Sequence, residues 1–407
     1  MLLLAVLAAA MFFSVGCRKY IIGNVEISKI VFPGVAALDF AENEEDVIIT
    51  LEAKRVSQSE RGGEFSGDYE VLKIMSGSVF EAGKALTAYS VKDINWGQNE
   101  CIIFGEDVAR DNILKHVDYF VRNHENRGTI KMFVANGVNG GSIIEQTAET
   151  GGYVSDKALE LYDDMGTLSI SKGVRLHKFL SELQNQHGCG VMPAVGVSEI
   201  TLGGYNRSFI TAADDDEGEV EGMPNKMLVI TGYAVFKDNS LLGFMDAKMS
   251  RGLNWVTDDI TSAAISLTDS DGEKISLEVI SSATRVKTRI EDGVPSLTLK
   301  INVSSNIAGY EGKENIFLKE NIAELEDKQR QAIENEIREV LAYAKLHRID
   351  IFGFNGFFNR QNPVKWEKLK DDWQELFPRL AVEIDIKSKI NRTYSIKIPL
   401  REGVKQP

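Results

Sequence analysis

The chain has 407 residues, of which 43% are hydrophobic and 26% are charged, a profile typical of globular protein rather than of disordered, fibrous or polytopic membrane chains. Its formal net charge of −14 argues against nonspecific nucleic-acid binding and against a diffuse cationic membrane-binding face, because both need a surplus of Lys and Arg. Three cysteines are too few for a disulfide scaffold.

The first seventeen residues resemble an export signal that ends at a cysteine. Met1–Val15 is almost wholly apolar but shorter than the ~20 residues that a membrane-spanning helix needs. Ser14 and Gly16 precede Cys17, which predicts a lipobox: the Cys17 thiol is diacylated and becomes the mature N-terminus. Lipoboxes usually carry Leu where Ser14 stands, and no Lys or Arg precedes the apolar run, which leaves room for an upstream start codon. A plain secretory signal and an uncleaved anchor are the alternatives.

Strand and helix patterns alternate after the signal. Asp46–Glu52 has the composition of a strand, and Ser78–Glu81 has the spacing of a capping box at the start of a helix. Cys101–Phe104 is a short apolar run that ends at Gly105, which predicts a buried strand.

A strand, a helix and a second strand follow in close succession from Cys101. Apolar residues recur at helical spacing over Asp111–Asn123, and Thr129–Ala135 again has the pattern of a strand. This order predicts a right-handed βαβ crossover between parallel neighbours. Further helices are predicted over residues 142–149, 155–164 and 172–186.

An acidic stretch between Thr201 and Met227 predicts a boundary. It includes Asp214–Glu221, and no core could bury so many unpaired carboxylates. A calcium-binding loop that began at Asp214 would need Glu at its twelfth position, where the chain has Asn225. We therefore expect a solvated linker here.

The pattern changes beyond this boundary. Met227–Phe236 and Leu241–Met249 predict a hairpin around Asp238 and Asn239, and alternating apolar residues predict strands at Ile275–Ile280 and Leu297–Val303. A long helix is predicted from Leu318 to Ala344, followed by a last strand through Val382, Ile384 and Ile386.

No catalytic, metal or cofactor motif is apparent. The five histidines lack the spacing of a zinc site, and we expect most of them at the surface. Gly188 and Gly190 are followed by Pro193 where a dinucleotide-binding loop needs its third glycine. Cys101 and Cys189 have no evident partner base, so packing or a free thiol is expected rather than catalysis. The prediction is a protein that is not an enzyme and holds no cofactor or metal.

Trp366 and Trp373 are seven residues apart, so on a helix they would lie near one face. This spacing favours packing in a core, with a partner-binding surface as the alternative.

Several segments together resemble the Ger(x)C family of spore germination lipoproteins. In the first half these are Cys101–Leu114, Tyr119–Asn123 and Arg127. In the second half they are Gly232–Lys237 with Leu242 and Gly243, Ile349–Phe354, Trp366–Trp373, Phe377 with Pro378, and Ile390–Arg392. The similarity covers nearly the whole mature chain in family order. One segment departs from it: Arg18–Tyr20 stands where the family commonly has Trp-Asp and an Arg-Glu pair.

The resemblance implies a lipoprotein on the outer face of the inner spore membrane, anchored through Cys17. Its implied partners are a transporter-like polytopic subunit and a second membrane subunit of a nutrient germinant receptor. The implied fold is mixed α/β (α+β) in three domains, each a mixed β-sheet with packed helices. The family implies no enzymatic activity, and it specifies neither the germinant nor whether this subunit contacts it.

The expected division is a signal peptide over 1–16, an N-terminal α/β domain over 17–200, the acidic linker over 201–226, a middle β-rich domain over 227–290 and a C-terminal α/β domain over 291–400. Two other classes stay open. A solute-binding lipoprotein of an importer would share the anchor but should show two similar lobes. An envelope hydrolase would require a cleft with coupled acids.

Overall fold

The computed structural model describes residues 30–58, 65–89, 93–149, 153–185, 188–199, 226–268, 272–310, 312 and 318–391. Within them two β-sheets pack with helices, which is the mixed α+β class predicted from the sequence. The signal, Cys17 and the acidic stretch as far as Asn225 lie outside the described residues.

The first sheet has a parallel centre and antiparallel flanks. Its strands are β1 (Ile30–Phe40), β2 (Val47–Gln58), β3 (Phe65–Ser76), β4 (Asp93–Ile94), β5 (Cys101–Phe104), β6 (Lys131–Ala135), β7 (Gly190–Glu199), β8 (Lys226–Lys237) and β9 (Ser240–Met245). They lie in the order β3-β2-β1-β5-β6-β7-β8-β9, with β4 beside the start of β1. The four central strands β1, β5, β6 and β7 are parallel, and an antiparallel hairpin extends each side.

Helices cover both faces of the parallel centre. They are α1 (Val79–Tyr89), α2 (Glu106–Arg110), α3 (Ile113–Arg122), α4 (Gly140–Glu149), α5 (Val154–Leu168) and α6 (Leu176–Asn185). All four residues of β5 are buried, and they alternate between two cores: Ile102 and Phe104 pack with α3, whereas Cys101 and Ile103 pack with α4 and α5. A continuous apolar run is what a strand buried on both faces requires.

The predicted crossover is present, because β5 and β6 pair in parallel from Cys101 and Lys131 onward. Two helices connect them where the sequence predicted one over Asp111–Asn123. The first helix ends at its C-cap residue Asp111, and Asn112 caps the second: its side chain accepts a hydrogen bond from the backbone N–H of Leu114 at 3.1 Å.

The second sheet joins three antiparallel strands to one parallel strand. It consists of β10 (Ala263–Thr268), β11 (Lys274–Glu291), β12 (Val294–Tyr310) and β13 (Ala381–Asn391), in that order. The parallel pairing of β12 with β13 requires a crossover. That connection contains α8 (Lys319–His347), α9 (Phe354–Gln361), α10 (Pro363–Trp366) and α11 (Trp373–Leu376), while α7 (Ala247–Thr257) precedes β10.

The hairpin of β8 and β9 belongs to the first sheet, because β8 pairs antiparallel with β7. Asp238 and Asn239 form its turn with positive φ angles of 52° and 65°, as a two-residue turn between twisted strands favours. The predicted second strand to Met249 is too long, since Asp246 caps α7 by accepting from the N–H of Met249 at 2.9 Å. The three-domain division stays a prediction.

Candidate functional site

A buried acid lies at the carboxyl ends of the parallel strands. Open α/β sheets commonly bind ligands at this edge. Here the two oxygens of Asp39, at the end of β1, accept hydrogen bonds of 2.7 Å each from the N–H groups of Gly140 and Gly141 at the start of α4. Gly105 packs so close to Asp39 that a Cβ atom at this position would overlap the carboxylate. Asp39 therefore caps a helix, and both of its oxygens are already engaged at this edge of the sheet.

Two other buried acids have the same role. Glu52 accepts from the N–H groups of Val154 at 2.6 Å and Ser155 at 2.9 Å, at the start of α5. Asp350 accepts from the N–H groups of Phe354 at 3.0 Å and Asn355 at 2.8 Å, at the start of α9. Carboxylates at helix N-termini are stabilised by the unpaired N–H groups and by the helix dipole.

Burial shifts the pKa values of two of these acids. It raises the pKa of Asp39 and that of Asp350 above the usual aspartate range, although the backbone hydrogen bonds oppose the shift in both. A raised carboxyl pKa is often a mark of a catalytic acid. In both residues, however, each oxygen already accepts a backbone N–H, so the geometry supports a structural role. Sequence reasoning missed all three caps.

The two described cysteines are buried, as predicted for packing residues. Burial raises the pKa of the Cys189 thiol to about 11 and that of Cys101 further still. A thiolate is the reactive form of cysteine, so both thiols are held in the unreactive state near neutral pH.

The sequence predicted that most histidines lie at the surface, and His124 and His177 are exposed. His116 is buried in α3, where its Nε2 lies 3.2 Å from an oxygen of Asp111. It is buried because the helical face that it shares with Val117 and Phe120 turns toward the sheet. Among the described residues, no group of three or more His, Cys, Asp or Glu side chains could hold a metal ion.

Trp366 and Trp373 are core residues, as predicted, but they do not share one helix. They end α10 and begin α11, with a 3-10 turn between them, and their rings meet edge to face at 5.0 Å between centroids. The indole N–H of Trp373 donates to Asp350 at 3.0 Å, and Phe358 and Phe377 pack against its ring. Both tryptophans are thus tied to the cap of α9.

An open groove lies between α1 and α3, and we call it the α1/α3 groove. Its volume is about 990 Å³, and its aromatic lining comes from Phe80, Trp96 and Tyr119. Phe80 is 58% exposed, and its ring stands 6.3 Å from that of Tyr119. Lysine, arginine and acidic side chains also line the groove. Ile30, the first described residue, is part of the lining and stands thirteen residues after Cys17.

Within the described part of the chain, we find no helix that combines the length and the apolar character needed to cross a bilayer.

Two family models match this chain in succession. The model described as "Spore germination protein N-terminal domain" matches residues 23–197, and the one described as "Spore germination B3/ GerAC like, C-terminal" matches residues 231–394. Together they cover most of both sheets and leave out the acidic stretch.

Relatives from Bacillus subtilis (strain 168) agree with these models. Spore germination protein KC is 26% identical over 185 residues, which is 45% of this chain and 46% of that protein. Spore germination protein B3 is 27% identical over 154 residues, 37% of this chain and 41% of that protein, so each alignment spans less than half of the relative. The putative spore germination protein YfkR is 22% identical over 370 residues, 89% of both chains.

A solved structure supports the fold. The crystal structure of the GerBC protein superposes with a TM-score of 0.55 at 19% sequence identity, covering 87% of this chain and 96% of that one. The family segments recognised in the sequence, the two family models and this likeness in fold agree, and the chain belongs to the Ger(x)C family of spore germination proteins.

Proposed function

We propose that this chain is the lipid-anchored, extracytoplasmic subunit of a spore germinant receptor, required for nutrient-triggered germination through its assembly with membrane subunits. The observation that carries the proposal is the ordered match of both family models, which leaves little of the mature chain unassigned. The apolar run that ends at Cys17 supports attachment to the outer face of the inner spore membrane.

The subunit contributes by organising the receptor and does not turn over a substrate. The arrangement of the buried acids supports this part of the proposal, since Asp39, Glu52 and Asp350 use their oxygens to cap helices. The buried cysteines also support this part of the proposal, because their raised thiol pKa values disfavour a nucleophilic role.

A lipid anchor lowers the affinity that an interface with the membrane subunits needs. A tethered body meets its membrane partners at high effective concentration, so even a weak interface holds a complex together. Thirteen residues separate Cys17 from Ile30, and an extended chain of that length spans at most about 45 Å. The α1/α3 groove, which Ile30 lines, therefore stays within reach of an extracytoplasmic segment of a membrane subunit, and we assign that segment to it.

Deletion of the gene tests the proposal. We expect loss of the response to one set of nutrients, with germination by non-nutrient triggers intact, because those triggers bypass the receptor. The strain should carry no second receptor set that could mask the defect. Normal responses to every nutrient in such a strain would defeat the proposal and favour a solute-binding lipoprotein of a transporter.

A further inference from the structure

A second, smaller cavity lies at the opposite edge of the parallel strands from Asp39. It has a volume of about 350 Å³, and we call it the Asn99 cavity. Asn99 and Glu100, just before β5, form one side, and Arg127, Lys131 and Arg175 supply the charged remainder of the lining. Lys131 is the first residue of β6 and forms a backbone bridge with Arg175. The cavity thus lies at the start of two central strands, β5 and β6.

The net charge of this lining is positive, whereas that of the whole chain is negative. Three cationic side chains face one carboxylate, whereas the full sequence has 46 basic and 60 acidic residues. The one acid of the lining, the exposed Glu100, pairs with the Nζ of Lys131 at 3.9 Å, so it offsets one of the three positive charges and the lining stays net positive. The cavity therefore attracts anions.

Two of the cations lie beside one aromatic residue of α5. The Nζ of Lys131 lies 5.2 Å from the centroid of the Tyr162 ring, and the Arg175 side chain lies near the hydroxyl of the same residue. A side chain that is positioned before a ligand arrives loses less conformational entropy when it binds. Arg127 and Arg175 are both exposed, so an anion in solution can reach them.

An unpaired amide gives independent support for a ligand. Asn99 is only 4% exposed, yet neither its side-chain oxygen nor its side-chain nitrogen has a hydrogen-bond partner among the described residues. Its backbone N–H donates to the carbonyl of Trp96 at 3.0 Å, so the side-chain amide is the part of Asn99 that lacks a partner. Buried polar atoms without partners are rare and costly, and an unfilled binding site is one explanation for them.

We propose that the Asn99 cavity binds a small oxyanion, a carboxylate or a phosphate. The guanidinium groups of Arg127 and Arg175 match the paired oxygens of either group, Lys131 adds a positive charge, and the Asn99 amide donates to a remaining oxygen. The position is at the amino ends of the parallel strands, unlike the common site of open α/β sheets, where Asp39 here caps α4 and packs against Gly105.

Thermal unfolding of the full lipidated chain in detergent tests the proposal. We expect a saturable rise in Tm with inorganic phosphate or with acetate, measured against sodium chloride of equal ionic strength, because a ligand that binds the native state stabilises it. The two anions are titrated separately, and the one that saturates at lower concentration identifies the preferred oxyanion. No saturable rise with either anion would overturn the proposal.

Two variants separate specific binding from general charge effects. Arg127→Gln should weaken the apparent affinity about tenfold through loss of a charge-assisted hydrogen bond. The matched control is Arg285→Gln, which removes an exposed arginine of β11 outside the cavity and should leave the affinity unchanged. An equal loss in both variants would contradict a site at Arg127.

Asn99→Leu distinguishes a ligand-binding amide from a structural one. Without added anion, the variant should be at least as stable as the wild type, because it removes unpaired polar atoms. It should also lose most of the anion-dependent rise in Tm. A large drop in Tm without anion, with the rise on anion addition retained, would assign Asn99 to the core and overturn its role here. None of these measurements depends on germination, so their failure leaves the proposed function untouched.

Discussion

His116 occupies a buried position on α3, where its ring stands edge-on to Phe40 at 5.5 Å between centroids. Burial holds the pKa of His116 below its ordinary value of 6.5, and the contact with Asp111 only partly opposes this effect. Between the lowered pKa and 6.5 the unfolded chain therefore binds a proton that the folded chain does not. The contribution of His116 to the free energy of unfolding is therefore fully present above pH 6.5 and is lost as the pH is lowered through this window.

We predict that His116→Gln removes this pH dependence. The slope due to one histidine is at most about 1.4 kcal/mol per pH unit, so the variant should show a flatter profile between pH 7 and 5. Urea unfolding at several pH values measures it, and the difference between wild type and variant cancels the other titrating groups. Parallel profiles for the two proteins would show that folding leaves the pKa of His116 unchanged.

Trp366 gives a second prediction at the scale of one side chain. Its ring is buried against Phe358 and Trp373, so Trp366→Ala should lower the free energy of unfolding by about 3–5 kcal/mol. Val364→Ala, two residues earlier and 79% exposed, should cost less than about 0.5 kcal/mol. A loss below about 1 kcal/mol for Trp366→Ala, with germination impaired, would instead mark a surface for a partner.

Among the helices, α7 and α8 make an unusually close contact. Gly252 of α7 lies so near the backbone carbonyl of Glu336 on α8 that an added Cβ would overlap it. The same Glu336 carboxylate pairs with Arg251 and accepts the indole N–H of Trp255 at 3.0 Å. The glycine thus sets the distance between the helices at which this partly buried polar network can form.

We predict that Gly252→Ala destabilises the protein by about 1–3 kcal/mol, because the helices must separate to admit the methyl group. Gly356→Ala in α9 is the matched control. There the nearest atom is the flexible end of Arg360 at 3.2 Å, so the change should be neutral or stabilising by up to about 1 kcal/mol. Chemical denaturation measures both, and equal effects would show that the α7–α8 contact tolerates a larger residue.

Local patterns determined how much of the fold could be predicted. A short apolar run that ends at a glycine was enough for β5, and helical periodicity was enough for α8, where the predicted Leu318–Ala344 compares with Lys319–His347. It could not show that β8 pairs with β7 across the acidic stretch, because pairing depends on contacts between distant parts of the chain. The caps were hidden for the same reason: Asp39 and Gly140 are 101 residues apart, and an acid within a strand gives no sign of its partner. The Asn99 cavity likewise combines residues from three separate segments.

At the scale of the whole molecule, the first prediction concerns the proposed lipid anchor. Cys17→Ala should abolish incorporation of labelled lipid and release the protein from membranes, because this thiol is the proposed site of acylation. It should also largely reproduce the germination defect of a deletion, since the untethered body loses its effective concentration. Membrane fractionation with lipid labelling measures the first effect. Persistent membrane binding of the variant through Met1–Val15 would refute the lipoprotein assignment.

A second prediction concerns the α1/α3 groove. Phe80→Ser should weaken assembly with the membrane subunits, because Phe80 is an aromatic residue of the proposed contact surface. It should leave the stability of the isolated chain nearly unchanged, because the side chain is largely exposed. Leu346→Ser on α8 removes another exposed apolar side chain, 78% accessible and outside the groove, and should have no effect on assembly. Equal behaviour of the two variants would exclude the groove as the contact surface.

We propose that this chain works as one subunit of a membrane receptor. Co-purification from detergent-solubilised spore membranes is the decisive test, with an affinity tag on this chain and detection of the membrane subunits. We predict that the wild-type chain recovers both membrane subunits and that Cys17→Ala recovers much less of either. Recovery of the anchored chain alone, from membranes that contain both subunits, would contradict the account.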